Sequence, residues 1–359
     1  EPTPERPAPD APAGEPAEVA AGTAVVPEPD ASTEPHAPTE PGASPSMFSL
    51  EGRRVPALYL VGWVGTVMGA AVLLVSFMAA GGGAAPWLFL AGLVVLGLGL
   101  IAAAGSQAVE RTGRTDLPYR GPSPVLAFAV VIAITLVGIV FVLAPLSALG
   151  VDASSPAATA LSLLVTLLAY VAAIRLLVVG PGSLSWAEMG VRRPDGSAVR
   201  ELLIGAVFAL PVIVVTIALS LVLGSFLERS ASPLPPAGDA VGLLVNLVSA
   251  ALLAPIGEEL FFRGFATTAW ARSLGAAWPA IVRGAVFFAI AHVITLFDAS
   301  FASGAQRALF SFVALLPVGI ALGWLFLSRR SLYAAIGLHA AFNGIQVLLA
   351  FAAAGALGQ

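Results

Sequence analysis

The chain has 359 residues, 58% of them hydrophobic and only 11% charged, which excludes a water-soluble globule of ordinary composition and makes the bilayer its solvent. Cysteine is absent, so disulfides, thiol nucleophiles and thiolate metal ligands are excluded together. The net charge of −4 is uneven, because the first 46 residues hold nine of the 21 acidic groups against Arg6 alone, leaving −8 there and +4 over the rest.

The segment from Glu1 to about Ser46 mixes Pro, Ala, Glu and Thr with almost no large apolar side chain. It cannot bury enough surface to offset its ordering entropy, so residues 1–50 are expected to be a disordered acidic tail. No basic n-region followed by a short apolar core opens the sequence, so no cleavable signal peptide is expected there. All 17 basic residues are Arg, and the Ala, Gly, Pro and Arg bias is that expected of a GC-rich bacterial genome.

From Pro56 onward, nine apolar runs are long enough to cross a hydrocarbon core of about 30 Å: 57–79, 86–104, 124–147, 158–179, 201–226, 240–262, 279–297, 306–327 and 332–355. Backbone groups in lipid must pair within their own segment, so these are predicted helices. The fold class is therefore all-α, a polytopic transmembrane bundle of eight or nine helices. Residues 51–200 form the N-terminal helices and 201–359 a second unit whose motifs lie in 240–350. Arg53–Arg54 precede the first run, and Arg111, Arg114, Arg120, Arg192, Arg193, Arg200, Arg263, Arg272, Arg329 and Arg330 follow even-numbered runs. The linkers 80–85, 148–157 and 227–239 carry Arg229 alone. The Arg-rich ends should face the cytoplasm, giving a cytoplasmic N-terminus and an exterior C-terminus in a bacterial plasma membrane.

Ionisable groups inside apolar helices are costly and mark function. Arg175 and Arg283 lie near predicted cytoplasmic ends, where a long side chain snorkels to the surface. The exceptional cluster is Pro255-Ile256-Gly257-Glu258-Glu259-Leu260-Phe261-Phe262-Arg263-Gly264, together with His292 in the seventh run and His339 and Asn343 in the ninth. On a helix Glu259 and Arg263 are i,i+4 and pair, whereas Glu258 points about 100° away and is left free. A Glu–Arg pair that only fixes packing explains Glu259 and Arg263 but not Glu258. A carboxylate in an apolar, partly wet cavity is a stronger general base toward water. Phe288 shares a face with His292, and His339 shares one with Asn343 beside Gly337 and Gly344, which permit close helix approach. Alone, His292 reads as a packed histidine and His339 with Asn343 as an interhelical hydrogen-bonding device.

The three elements, Glu258-Glu259-x-x-x-Arg263, Phe288-x-x-x-His292 and His339-x-x-x-Asn343, resemble in order and without departure the motifs of the CPBP family of CAAX proteases and bacteriocin-processing or immunity proteins. The resemblance covers about 240–350, with a weaker echo at Trp186-Ala-Glu188-Met189-Gly190. It implies an intramembrane endopeptidase in which Glu258 with His292 activates water, His339 and Asn343 stabilise the oxyanion, and Arg263 holds Glu259 in register. The alternative cofactor arrangement is Glu258, His292 and His339 as ligands of a divalent metal, zinc, with an open fourth position for water. No His-Glu-x-x-His is present, so the zinc case rests on ligand chemistry and not on spacing, and the metal-free or weakly metal-assisted form is preferred. Expected partners are membrane lipid and a protein or peptide substrate, not nucleic acid.

Two other readings fit intramembrane charge, a transporter, for which Pro211 and the Pro255–Gly257 break are the pointers, and a non-catalytic immunity or scaffold protein. The predicted boundaries also set a problem of depth. Glu258 falls about 24 Å along a helix entering from one side and His292 about 20 Å along its antiparallel neighbour. The easiest repair extends the sixth helix through Phe265 to Trp270.

Overall fold

A computed structural model describes residues 49–50, 53–54, 57–79, 83–112, 114–229, 239–294 and 301–357. The contacts divide the chain into Glu1–Arg54 and Val55–Gln359. In the first unit, β1 (Ser49–Leu50) and β2 (Arg53–Arg54) pair antiparallel. The acidic tail otherwise lies outside the described residues.

The second unit is helical. In chain order it contains α1 (Ala57–Met78), α2 (Ala85–Thr112), α3 (Pro124–Ala148), α4 (Pro156–Val179), α5 (Gly196–Leu223), α6 (Ala240–Leu274), α7 (Ala277–Val293), α8 (Phe301–Arg329) and α9 (Leu332–Leu357). Eight of these are long and apolar enough to cross a membrane, and α7 is a shorter apolar helix of 17 residues. The polytopic all-α class is thus borne out. It also answers the eight-or-nine question for the described residues: eight full-length spans with one short helix among them.

Local sequence explains the boundaries. Asp195 accepts from the N–H groups of Ser197 and Ala198 at the start of α5, Asp239 accepts from Gly242 at the start of α6, and Ser155 accepts from Ala158 ahead of Pro156 in α4. Each satisfies donors that a helix start leaves unpaired. Gly275 ends α6 at φ 62°, the left-handed conformation that glycine adopts without penalty.

The predicted end of the sixth run at 262 is corrected, because α6 continues to Leu274. Arg263 does not terminate it, since the side chain turns inward and is 1% exposed. For the same reason Arg263 is no marker of membrane sidedness, and Arg272 alone serves at that end. Two π-helical stretches, Ser249–Leu253 and Leu260–Thr267, bracket the Glu258–Glu259 turn; such widened turns shift the helix register and recur at functional positions. Pro211 lies inside an uninterrupted α5, and Pro255 and Gly257 inside α6, so neither marks the broken helix expected of a transporter.

The helices close on small residues and aromatic rings. Gly205 of α5 abuts the backbone of Ala334, and Gly337 of α9 abuts that of Leu202, positions where any added Cβ would overlap the neighbouring chain. Inside, Phe128 of α3 and Tyr170 of α4 meet Phe261 and Phe262 of α6 at centroid distances from 5.3 to 6.3 Å, within the range of favourable tilted aromatic contacts. The early helices therefore wall in α6, the helix that carries both glutamates.

Candidate active site

Three helices bring the motif residues together in two rows. Glu259 and Arg263 form the back row, at 0% and 1% exposure. Nη1 of Arg263 donates to Oε1 of Glu259 at 2.9 Å, as the i,i+4 spacing predicts. The same Oε1 also faces Nδ1 of His339 at 2.8 Å, a contact the sequence does not disclose because it joins α6 to α9. Since a carboxylate oxygen only accepts, Nδ1 of His339 carries the proton. Arg263 is further fixed by donating to the carbonyl of Gly319 at 3.4 Å and by lying 4.3 Å over the Phe288 ring.

Glu258 and His292 form the front row, with side chains 18% and 34% exposed. Oε2 of Glu258 lies 3.5 Å from Nε2 of His292 and 3.8 Å from Nε2 of His339. Nδ1 of His292 contacts the Phe288 carbonyl at 2.8 Å and must donate to it. Both imidazoles are thereby held in one tautomer, with Nδ1–H turned away and Nε2 toward Glu258. Phe288 keeps the two apart and upright, its centroid 4.3 Å from that of His292 and 5.7 Å from that of His339. The extension of α6 through Trp270 is what brings Glu258 level with His292, so the depth problem is resolved by the repair the sequence suggests.

Oε2 of Glu258 is buried without a hydrogen-bond partner, as is Oε2 of Glu259. Two neutral Nε2 lone pairs and a carboxylate oxygen converge on one small space. Such a set needs a proton donor among its members, supplied either by protonation of an imidazole or by a bound water.

Asn343 is turned elsewhere. Its Nδ2 donates to the carbonyl of Ala250 at 2.9 Å, one of the carbonyls in the first π-helical stretch of α6. One amide hydrogen is therefore committed to joining α9 to α6. Gly344 comes close to α6 as well, facing Ala251.

Among the described residues no group of three His, Cys, Asp or Glu side chains is disposed to hold a metal ion. Glu258, His292 and His339 come nearest: Oε2 of Glu258 lies 3.5 and 3.8 Å from the two Nε2 atoms, close to the edge of about 3.4 Å of a zinc tetrahedron. If a divalent metal bound here, Oε2 of Glu258 and the two Nε2 atoms would hold it, with the Nδ1 contacts to Phe288 and Glu259 orienting the rings.

Residues that support the site without a sequence signature are Phe128, Tyr170 and Leu167. The one hint is Gly257, beside Glu258: a Cβ there would lie 2.9 Å from Cδ2 of Tyr170 and 3.1 Å from Cδ1 of Leu167, so only glycine lets α4 approach. The Trp186–Gly190 echo folds over the end of α6. Glu188 pairs with Arg272 at 2.6 Å and accepts from Ser185, which holds its carboxyl down at about 2. The backbone at Gly190, with φ 77°, receives the N–H of Leu332 at the start of α9.

Comparison with known proteins agrees with this geometry. Residues 240–345 match the family model described as type II CAAX prenyl endopeptidase Rce1-like. The match begins at the first residue of α6, ends two residues after Asn343 and contains all three motifs, so the CPBP-type recognition holds for this segment. It relates this membrane-helical segment to the CAAX proteases. Neither the curated proteins nor the solved structures yield a match.

Proposed function

We propose that the chain is an intramembrane endopeptidase that hydrolyses a peptide bond of a membrane-associated or lipidated protein or peptide with water activated by Glu258 and His292. The observation that carries this reading is the partly exposed Glu258 carboxylate facing two imidazole Nε2 atoms whose other nitrogens are tied back to Phe288 and Glu259.

The charge balance assigns roles. Two carboxylates and one guanidinium leave the cluster at −1 in an apolar surround, and one imidazolium restores neutrality. His339 is the member suited to hold that proton, because its Nδ1–H points at an ionised Glu259, much as a carboxylate steadies the histidine of a hydrolytic triad. Its Nε2–H then faces the reaction space as a charged donor for the oxyanion. Glu258, with His292 beside it, takes the proton of the attacking water. The water oxygen bonds to the peptide carbonyl carbon, the carbonyl electrons move to its oxygen, and the negative charge formed there meets His339. Asn343, expected as a second oxyanion donor, instead spends its amide on the Ala250 carbonyl and acts at one remove by tying α9 to α6. Collapse of the intermediate breaks the C–N bond, and the proton held by Glu258 passes to the leaving amine. Fixed donors in a low-dielectric site stabilise such charge by about 3–4 kcal/mol each.

Arg263 acts at one remove, as a positioning residue that holds Glu259 in place. Similarity of residues 240–345 to the CAAX prenyl endopeptidases supports a prenylated C-terminal substrate. The membrane is proposed to be a bacterial plasma membrane, with the Arg-rich helix ends and the N-terminus on the cytoplasmic side. The test is incubation of the full chain in lipid nanodiscs with an isoprenylated C-terminal peptide and its unprenylated counterpart, with products identified by mass spectrometry. Cleavage favouring the prenylated peptide is expected. Recovery of both peptides intact, alongside a cleaved non-lipidated membrane peptide, would remove the substrate assignment.

A further inference from the structure

Residues of α5, α8 and α9 line a groove of about 240 Å³. Thr216 and Ser220 line it from α5, Phe310 from α8, Phe342 and Gln346 from α9, and Arg229 from just beyond α5. Thr216 and Ser220 are one helical turn apart and Gly224 continues the row, so a polar stripe runs along an otherwise apolar wall toward Arg229. Gly224 closes α5, its N–H donating to the Ser220 carbonyl, and a Cβ there would lie 2.5 Å from Nε of Arg229. The glycine is thus a cradle that lets the guanidinium fold back over the helix end.

Two features set this groove apart from ordinary packing. Arg229 is exposed, has no ion-pair partner among the described residues, and is the lone basic residue of the three Arg-poor connections. Thr216 Oγ1 is buried with no hydrogen-bond partner, an arrangement that costs free energy in an apolar medium unless an acceptor is supplied. The groove is smaller than the roughly 300–1,000 Å³ of pockets for drug-sized ligands. It suits one hydrocarbon chain with a polar top.

We propose that this groove binds one anionic phospholipid. Its phosphate lies on Arg229, its ester carbonyls accept hydrogen bonds from Ser220, Thr216 and the Gln346 amide, and an acyl chain runs past Phe310 and Phe342. Eight residues from Gly224 back to Thr216 span about 12 Å of helix, a length that takes a phosphate, a glycerol and the first carbons of a chain. Phe342 sits between His339 and Asn343 in α9, so the lipid packs against the helix that carries both.

The experiment is native mass spectrometry of the full chain released from nanodiscs containing equal phosphatidylglycerol and phosphatidylcholine with the same acyl chains. The wild type should retain one phosphatidylglycerol in preference. Arg229→Gln should lower that preference about fivefold, the worth of one interfacial basic residue, while Thr216→Val with Gln346→Leu should lower retention of both lipids. Gly224→Val, which evicts the guanidinium but keeps its charge, should reproduce the Arg229→Gln loss and serves if that variant fails to fold. Equal retention of both lipids by the wild type, or an unchanged preference in both Arg229→Gln and Gly224→Val, overturns the proposal. So does an equal rise in melting temperature from inorganic phosphate alone, which would mark a free-anion site, or displacement of the lipid by an isoprenylated peptide.

Discussion

Replacing Arg263 with Met separates what the back row contributes to stability from what it contributes to chemistry. Arg263 and Glu259 are fully enclosed, joined at 2.9 Å, and the guanidinium also covers Phe288. Removing the cation leaves the buried Glu259 carboxylate with the Nδ1–H of His339 as its remaining partner, which costs about 3–5 kcal/mol. For a domain of this size 1 kcal/mol moves the melting temperature by roughly 2–3 °C, so a fall on the order of 10 °C is expected. The double variant Glu259→Gln/Arg263→Met buries no charge and should recover most of that loss, because well-packed neutral replacements of a buried pair are often nearly neutral in stability. Activity should not recover with it, since His339 then donates Nδ1–H to a neutral amide that no longer favours the imidazolium. Thermal unfolding in nanodiscs, paired with a peptide-cleavage assay on the same preparations, reads both. A single Arg263→Met variant that melts within about 2 °C of wild type would refute the reasoning, and so would a double variant that regains wild-type turnover.

Other outcomes follow from the same geometry. His292→Ala should abolish cleavage while leaving the melting temperature within a few degrees, because its side chain is 34% exposed and its hydrogen bond goes to a local carbonyl. Gly257→Val should separate α4 from α6 at Tyr170 and Leu167, lowering stability by about 1–3 kcal/mol as overpacked cores do and reducing turnover with it; thermal unfolding and cleavage rates check both. The pairing of Glu188 with Arg272 gives an acid-limb prediction. The Glu188 carboxyl is held down at about 2, so its contribution is present above the ordinary carboxylate value of 4.5 and is lost as pH falls from there toward 2. The pair is solvent-screened, so the loss should be under about 1 kcal/mol, visible as a shallower fall of melting temperature with acid in Glu188→Gln.

Much of this was legible in sequence because lipid imposes a simple rule. Apolar length alone locates the helices, since no other element can span, and the described helix ends lie within a few residues of most of the predicted runs. The exceptions were the end of α2, which runs to Thr112 and not to 104, and the end of α6. Arg263 and Gly264 read as a polar break, yet an arginine with a buried carboxylate one turn away has no need to leave the membrane, and π-helical turns, which shift register locally, have no periodic signature to warn of them. Within the site, the i,i+4 relations of Glu259 to Arg263 and of Phe288 to His292 were readable because they lie on one helix. The bond from His339 to Glu259 and that from Asn343 to Ala250 were not, because pairing between helices depends on depth and rotation that spacing does not encode. The aromatic wall of Phe128 and Tyr170 was hidden for the same reason, in helices where every face is apolar.

Comparison of Glu258→Gln with wild type in nanodiscs, by cleavage rate and thermal unfolding together, tests the central claim most directly. Loss of the general base without loss of shape should lower turnover at least about a thousandfold while the melting temperature stays within a few degrees, since Glu258 makes no hydrogen bond of its own through Oε2. Cleavage by Glu258→Gln at a rate near that of wild type would contradict it.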